Sequence, residues 1–315
     1  MDVSIIIVNY NIISLLIVAV DSVLEKTEGI EYEIIVVDNN SSDNSKNILA
    51  EKYGDRVIYF ALPENIGFGR ANNEGAKIAR GRNLFFLNPD TILLNNAVKI
   101  LSDFMDNNPR VGCCGGNLFD VDGNPTNSFA RLITLSIIET FNVLFGNLLN
   151  KIIYRKNINF NYTNKPLKVC WITGADLMIR KYVFDRLHGF DPAFFMYCEE
   201  VELEYRVRKA GYKVFSVPYA KIIHLEGKSF SSDYDKINKY LISKKIFMQK
   251  TNNFIKIYCI YILLYLLIIS RILIFSILLK KEKRKNWINK YRIYNKKSKD
   301  GLINSINEYF KSNFI

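Results

Sequence analysis

Two short stretches of the chain carry residue types that could do chemistry. "NLFFLNPDT" (residues 83 to 91) runs from an apolar stretch straight into Asn88, Pro89 and Asp90. "CEEVE" (198 to 202) sets Glu199, Glu200 and Glu202, three acids in four residues, directly after the aromatic and apolar "FFMY". Asn, Pro and Asp are common turn residues, so Asp90 on its own reads as part of a turn, with a carboxylate aimed at a ligand as the alternative. Acids in the first turn of a helix are favoured by the helix dipole. Three in four residues exceed what capping needs, however, and an apolar approach through Phe194, Phe195 and Met196 would raise a carboxylate pKa toward that of a working base.

The elements that must position these residues alternate between strand and helix. Val3 to Val8 is a β-branched run, Leu15 to Leu24 has helical spacing, and "YEIIVVD" (Tyr32 to Asp38) is a second buried strand. "SSDNSKNILAEKY" opens with capping residues before a helix, "RVIYFAL" is a third strand, Gly69 to Ala79 a helix, and "NLFFLN" a fourth strand. This order predicts an α/β protein with a mainly parallel sheet flanked by helices. Ligands of such sheets lie at the carboxyl ends of the strands, where Asn9, Asp38 and Asn88 to Asp90 fall. Further along, "NLFDVDGNPTNSF" contains an Asp-Gly turn and a candidate hairpin, "VCWITGADLMIR" a strand leading into a turn, and Glu199 to Ala210 a helix that Gly211 would cap before the strand "KVFSVP".

Composition narrows the classes. The five cysteines form no CxxC pair and only His188 and His224 could join them, so a zinc site or a disulfide framework is not expected. "NIGFGRANN" holds Gly67, Gly69, Arg70 and Asn73 ahead of a helix. Its GxG lacks the rest of GxGxxG and gives a dinucleotide fold little support, and a glycine loop that only turns the chain is the plain alternative. The start, "MDVSIIIVNYN", has no basic n-region and reads as a first buried strand, not a signal peptide.

The net charge of +12 gathers toward the end, in "LLKKEKRKNWINKYRIYNKKSK", just after the apolar run Ile257 to Leu279 that Arg271 interrupts. That run could span a bilayer, which needs about 20 residues. The more basic flank lies on its C-terminal side, and basic flanks stay cytosolic, so an interfacial or re-entrant segment with Arg271 snorkelling to headgroups is the expectation, beside a buried helical hairpin as alternative. Lys and Arg next to an apolar helix suit an anionic membrane surface, and no nucleic-acid partner is expected.

With these stretches in order, "VSIIIVNYN", "EIIVVDNNSSDNS", "PENIGFGRANNEGAKIARGRNLFFLNPDT", "WITGADLMIRKYVFDRLHGFDPAFFMYCEEVELEYRVRKAGY" and "KIIHLEGKS", the chain resembles family 2 glycosyltransferases of the GT-A fold, particularly the bacterial rhamnosyltransferase-like branch. The resemblance covers residues 3 to 119 and 169 to 229. It implies a catalytic domain over 1–230, interrupted by an insertion at about 125–167; the helical, hydrophobic and basic region over 231–315 lies outside the resemblance and is expected, from its apolar run and basic cluster, to associate with the membrane. The implied activity is an inverting, metal-dependent transfer of one sugar from a nucleotide diphosphate donor, dTDP-rhamnose-like or a UDP-sugar. The implied acceptor is a lipid-linked glycan at the cytoplasmic face of the inner membrane, in surface polysaccharide assembly.

Residue by residue, the resemblance makes Asp90 the last acid of an Asp-x-Asp motif holding Mg²⁺ or Mn²⁺, with His224 completing the site. Asn88, in place of the first acid, would face the nucleotide sugar instead. Glu200 stands where the family places its base, with Glu instead of the usual Asp, and Glu199 and Glu202 would support it or bind acceptor. Asp38 would accept the imide N–H of uracil or thymine, with Asn9, Gly67, Arg70 and Asn73 near the nucleotide. Gly174 and Ala175 would let backbone approach the donor sugar. Processive members carry a Gln-x-x-Arg-Trp motif, which neither Trp171 nor Trp287 fits. A membrane-bound scaffold with a degenerate fold is the alternative from another class, favoured by Asn88 and Glu200.

Overall fold

The computed structural model describes residues 1–130, 157, 159–225 and 233–251, with isolated positions (269, 270, 273, 276, 285 and 288) beyond. The chain divides into two compact units, Met1–Ile133 with Asn157–Lys244 and Thr134–Lys156 with Lys245–Ile315. The first unit therefore runs past residue 230.

The first unit opens with β1 (Val3–Asn9), α1 (Ile13–Lys26), β2 (Tyr32–Asp38), α2 (Ser45–Tyr53), β3 (Ile58–Ala61), α3 (Phe68–Ile78) and β4 (Asn83–Leu87). There follow β5 (Thr91–Leu93), α4 (Ala97–Asp106), β6 (Val111–Phe119), β7 (Phe129–Ala130), β8 (Leu167–Val169), β9 (Trp171–Ile172) and β10 (Asp176–Arg180). It ends with α5 (Lys181–Arg186), α6 (Glu199–Lys209), β11 (Lys213–His224) and the start of α7 (Asp233–Thr251).

The sheet order is β3-β2-β1-β4-β10-β6-β11-β5, with β8 on β11. β3, β2, β1 and β4 run parallel, as the alternation predicts. β10 then enters antiparallel between β4 and β6. The order reverses at β1, whose neighbours are β2 and β4. A doubly wound sheet opens a crevice at such a reversal, outside the carboxyl ends of the strands. Asn9, Asp38 and Leu87 are those ends.

Strand residues serve both faces because their side chains alternate. Ile5 and Ile7 join Leu16, Val20, Val98, Leu101 and Met105 from α1 and α4 on one face. Ile6 and Val8 join Ala71 and Ala76 of α3, Phe184 of α5 and Leu203 and Val207 of α6 on the other. Gly75 sits where α3 touches the sheet: a Cβ there would stand 2.7 Å from Ile6 and 2.8 Å from Val37.

The Asp-Gly turn forms, with Gly123 at φ +78° and Asp120 accepting the amides of Asp122 and Asn124. The expected hairpin stops at one bridge, Phe119 to Pro125, because proline has no amide proton to extend a ladder. β7 pairs with β9 instead. Gly211, at φ +90°, ends α6 as its position predicts, donating its amide to Arg208. Of the expected insertion, 131–156 lies outside the described residues, while Asn161 is tied to Asn117 of β6. No helix among the described residues is long and apolar enough to cross a membrane. The apolar run at 257–279 and the basic cluster from Lys280 lie, isolated positions aside, outside the described residues.

Candidate active site

At the crevice, Asn9 ends β1 fully buried and donates its amide to Asp38 (2.9 Å) and Ser45 (2.9 Å). Asp38, also buried, accepts the Ser41 hydroxyl (2.5 Å) and backbone amide (3.1 Å) as well. The Tyr59 hydroxyl stands near the same carboxylate. Burial first, and then this partner, push the tyrosine's pKa up. A carboxylate offers about four acceptor positions, and Asn9 and Ser41 take three of those on Asp38. It locks two strand ends together.

Gly67 begins α3 at φ +91°, and a Cβ there would collide with the Phe195 carbonyl, which accepts the Phe68 amide at 2.9 Å. Arg70 and Asn73, expected near the nucleotide, meet the loop before the acids. The Arg70 guanidinium donates to the Pro192 carbonyl, and Asn73 exchanges two hydrogen bonds with the Phe190 backbone (2.8 and 2.9 Å). Both brace the loop that leads to the acids, since a backbone carbonyl answers a guanidinium and a backbone peptide answers a carboxamide.

Asp90 and His224, 134 positions apart, meet because β5 pairs with the end of β11, His224 opposite Thr91. His224 Nε2 lies 3.4 Å from Asp90 Oδ1 and 3.4 Å from the Asn88 carboxamide. The Asn88 Oδ1 is buried and has no hydrogen-bond partner among the described residues. Turning the carboxamide over would bring that oxygen to face the imidazole. No group of three or more His, Cys, Asp or Glu among the described residues comes together to hold a metal ion. The three side chains nevertheless offer a carboxylate oxygen, an amide oxygen and an imidazole nitrogen, a donor set suited to a divalent cation that keeps its remaining positions for other ligands. His188 lies elsewhere, at φ +60° in the turn after α5.

The acids open α6 after a strained approach. Tyr197 and Cys198 both adopt the left-handed conformation (φ +71° and +65°), uncommon for residues with a side chain. Phe194 is fully buried, while Phe195 remains exposed. Glu199 is buried against Gly69, where a Cβ would stand 3.3 Å from its own Cβ. Glu200 is half-buried against Gly174. Burial pushes Glu200 up to about 7, while backbone amides of Glu200 and Val201 pull the other way. Burial, then the charge of Glu200, drive Glu199 upward, so the pair resists carrying two charges. Burial and these two acids push Tyr197 up to about 12. Glu202 differs: both its oxygens are held by Arg206 (2.7 to 2.9 Å), which also donates to the carbonyls of Leu187 and Gly189. That pairing ties the helix to the turn after α5.

The turn "ITGAD" joins the two groups. Ala175 accepts the backbone amide of Asn88 at 2.9 Å, and Gly174 beside it lies against Glu200. Two buried acids here are absent from the sequence-based set. Asp176 is fully buried and accepts the Gly116 amide at 2.5 Å, with Oδ1 unpartnered among the described residues. Burial pushes its pKa up to about 7, opposed by that amide and by His224. Glu204, one turn after Glu200, accepts the Ile172 amide at 2.8 Å and is likewise raised by burial. The signal for Asp176 was an acid leading the apolar strand "DLMIR".

A model of the family described as Glycosyl transferase family 2 matches residues 4–187. The chain is 26% identical over 215 residues to N-acetylglucosaminyl-diphospho-decaprenol L-rhamnosyltransferase of Mycobacterium tuberculosis, covering 64% of this chain and 68% of that protein. It is 28% identical over 211 residues to rhamnosyltransferase WbbL of Escherichia coli, covering 64% and 76%. Among solved structures, GalNAc-T7 with UDP, GalNAc and Mn²⁺ matches with a TM-score of 0.57 at 20% identity, over 79% of this chain and 48% of that one. The chain thus spans about half the length of that structure's chain, and the likeness speaks for the fold.

Proposed function

The chain belongs to glycosyl transferase family 2, a glycosyltransferase with a GT-A-like α/β fold and rhamnosyltransferase relatives, and on that footing we propose an inverting, metal-dependent transfer of a single sugar. The donor is a nucleotide diphosphate sugar, dTDP-rhamnose-like or a UDP-sugar. The acceptor is a lipid-linked glycan at the cytoplasmic face of the membrane. One observation carries the reading: a single turn, Gly174–Ala175, touches both the strand end of Asn88 and Asp90 and the half-buried acid Glu200.

In this mechanism Glu200 accepts the proton of the acceptor hydroxyl, whose oxygen bonds the anomeric carbon as the bond to the diphosphate oxygen breaks on the opposite face. A carboxyl raised to about 7 matches that task near neutral pH. Asp90 and His224, with the buried amide oxygen of Asn88, fit a divalent cation, and the imidazole favours Mn²⁺ over Mg²⁺. Such a cation, when bound, supplies positive charge for the departing diphosphate. Asn9 and Asp38 hold the strand ends that floor the nucleotide site. Arg70, Asn73 and Glu202 act through the loop and helix they fix. The relative acting on N-acetylglucosaminyl-diphospho-decaprenol supports the lipid-linked acceptor.

The test is a panel of nucleotide sugars offered to the full-length protein with polyprenyl-diphosphate-linked acceptors, with and without Mn²⁺. Transfer dependent on the cation and giving the opposite anomer supports the reading. Retained configuration, or full transfer in EDTA, overturns it.

A further inference from the structure

The base loop is gripped from outside the stretch that matches the family. Lys239, Tyr240 and Ser243 of α7 lie on one face at helical spacing, within the first compact unit. The buried Ser243 hydroxyl donates to the Met196 carbonyl at 2.6 Å. The Tyr240 ring meets the Tyr197 ring edge-on, centroids 6.2 Å apart, and Lys239 Nζ stands 5.4 Å from the Phe195 ring centroid.

The Met196 carbonyl belongs to the peptide unit joining Met196 to Tyr197. Rotating that plane changes φ of Tyr197, so a hydrogen bond on the carbonyl fixes the first of the two left-handed residues. Such conformations persist where the surroundings over-determine them. On the upstream side Phe195 is held by the Phe68 amide and Pro192 by Arg70. Ser243 supplies the hold at the turn itself. Two residues on, α6 begins with Glu199 and Glu200, and the direction of that turn sets where Glu200 meets Gly174.

We propose that Ser243 is a positioning residue for sugar transfer, its hydroxyl holding the Met196–Tyr197 peptide in the left-handed turn that aims Glu200 at the Gly174–Ala175 turn. This rests on the reading of Glu200 as the base. A serine far from the chemistry then acts on the transfer step and leaves donor binding alone, because Asn9, Asp38 and Asp90 stand on other elements.

The experiment compares Ser243→Ala, Ser243→Thr and Glu200→Gln in the full-length protein, measuring kcat and donor KM. Ser243→Ala should lower kcat by about tenfold, as small misplacements of reacting groups do. Donor KM should change by less than about twofold, the mark of an interaction expressed in the transition state. Ser243→Thr, which keeps the hydroxyl, should restore kcat. An unchanged kcat in Ser243→Ala beside an inactive Glu200→Gln overturns the positioning role. So does a Ser243→Ala protein without a cooperative melting transition, which would make the hydroxyl a fold anchor. Near-native turnover by Glu200→Gln sinks the base reading instead.

Discussion

A Cβ built on Gly174 would stand 3.2 Å from Cγ of Glu200 and 3.3 Å from its carboxyl carbon. The glycine thus leaves the space that the acid occupies. Gly174→Ala should push the carboxyl aside by a few tenths of an ångström and lower kcat by roughly 10- to 100-fold, with the fold intact. Steady-state kinetics beside a melting curve check this. A native kcat in the alanine variant would detach the turn from the chemistry.

Asp90 and His224 should act together on a divalent cation. EDTA should abolish transfer and Mn²⁺ should restore it better than Mg²⁺. Asp90→Ala should remove most Mn²⁺ binding in a calorimetric titration, independently of turnover. His224→Gln should weaken it less, because it removes no charge. Equal Mn²⁺ binding by wild type and Asp90→Ala would refute the pairing.

Glu200 should set the acidic limb of the rate profile. A base works deprotonated, so kcat/KM should rise with pH through about 7 and then level off. An unshifted carboxylate would place that limb near its ordinary 4.5. Glu200→Gln should lower turnover by roughly 100-fold or more and abolish the limb, while donor binding persists. A limb that survives in the Gln variant would move the role to Glu199.

Asp176 should tie stability to pH. Its carboxyl is raised from 3.8 to about 7, so between those values the folded chain holds a proton that the unfolded chain has lost. Folding therefore takes up a proton in that window, and stability falls as pH rises, by at most about 1.4 kcal/mol per unit. Above about 7 the loss is complete. Asp176→Asn should flatten this dependence in urea unfolding at pH 5 and 7.5. The same slope in both proteins would assign it to other groups.

Much of this was written in local pattern. β-branched runs bounded by turn residues placed β1, β2 and β4, and their alternation with helical stretches gave the parallel half of the sheet. Strand-end positions marked Asn9, Asp38 and Asp90 as crevice residues, because a parallel sheet delivers every such end to one rim. "EEVE" after "FFMY" marked the acid helix. The antiparallel entry of β10 was not legible, since a five-residue apolar strand carries no mark of its direction. Nor was the stop of the hairpin at Pro125, nor the orientation of Arg70 and Asn73, which local spacing leaves open between a ligand and the Phe190–Pro192 backbone.

The sequence by itself determined which residues are apolar, acidic or turn-forming, hence the elements and the chemistry each could supply. Only the tertiary structure decided which of them meet. His224 reaches Asp90 because β5 pairs with β11, Glu200 reaches Asn88 through the turn at Gly174, and Ser243 closes on Met196. Asp176 and Glu204 were buried beside strands. Each contact joins positions far apart in the chain or rests on how deeply a carboxyl is desolvated, and burial is a property of the assembled sheet and helices, which no local spacing encodes.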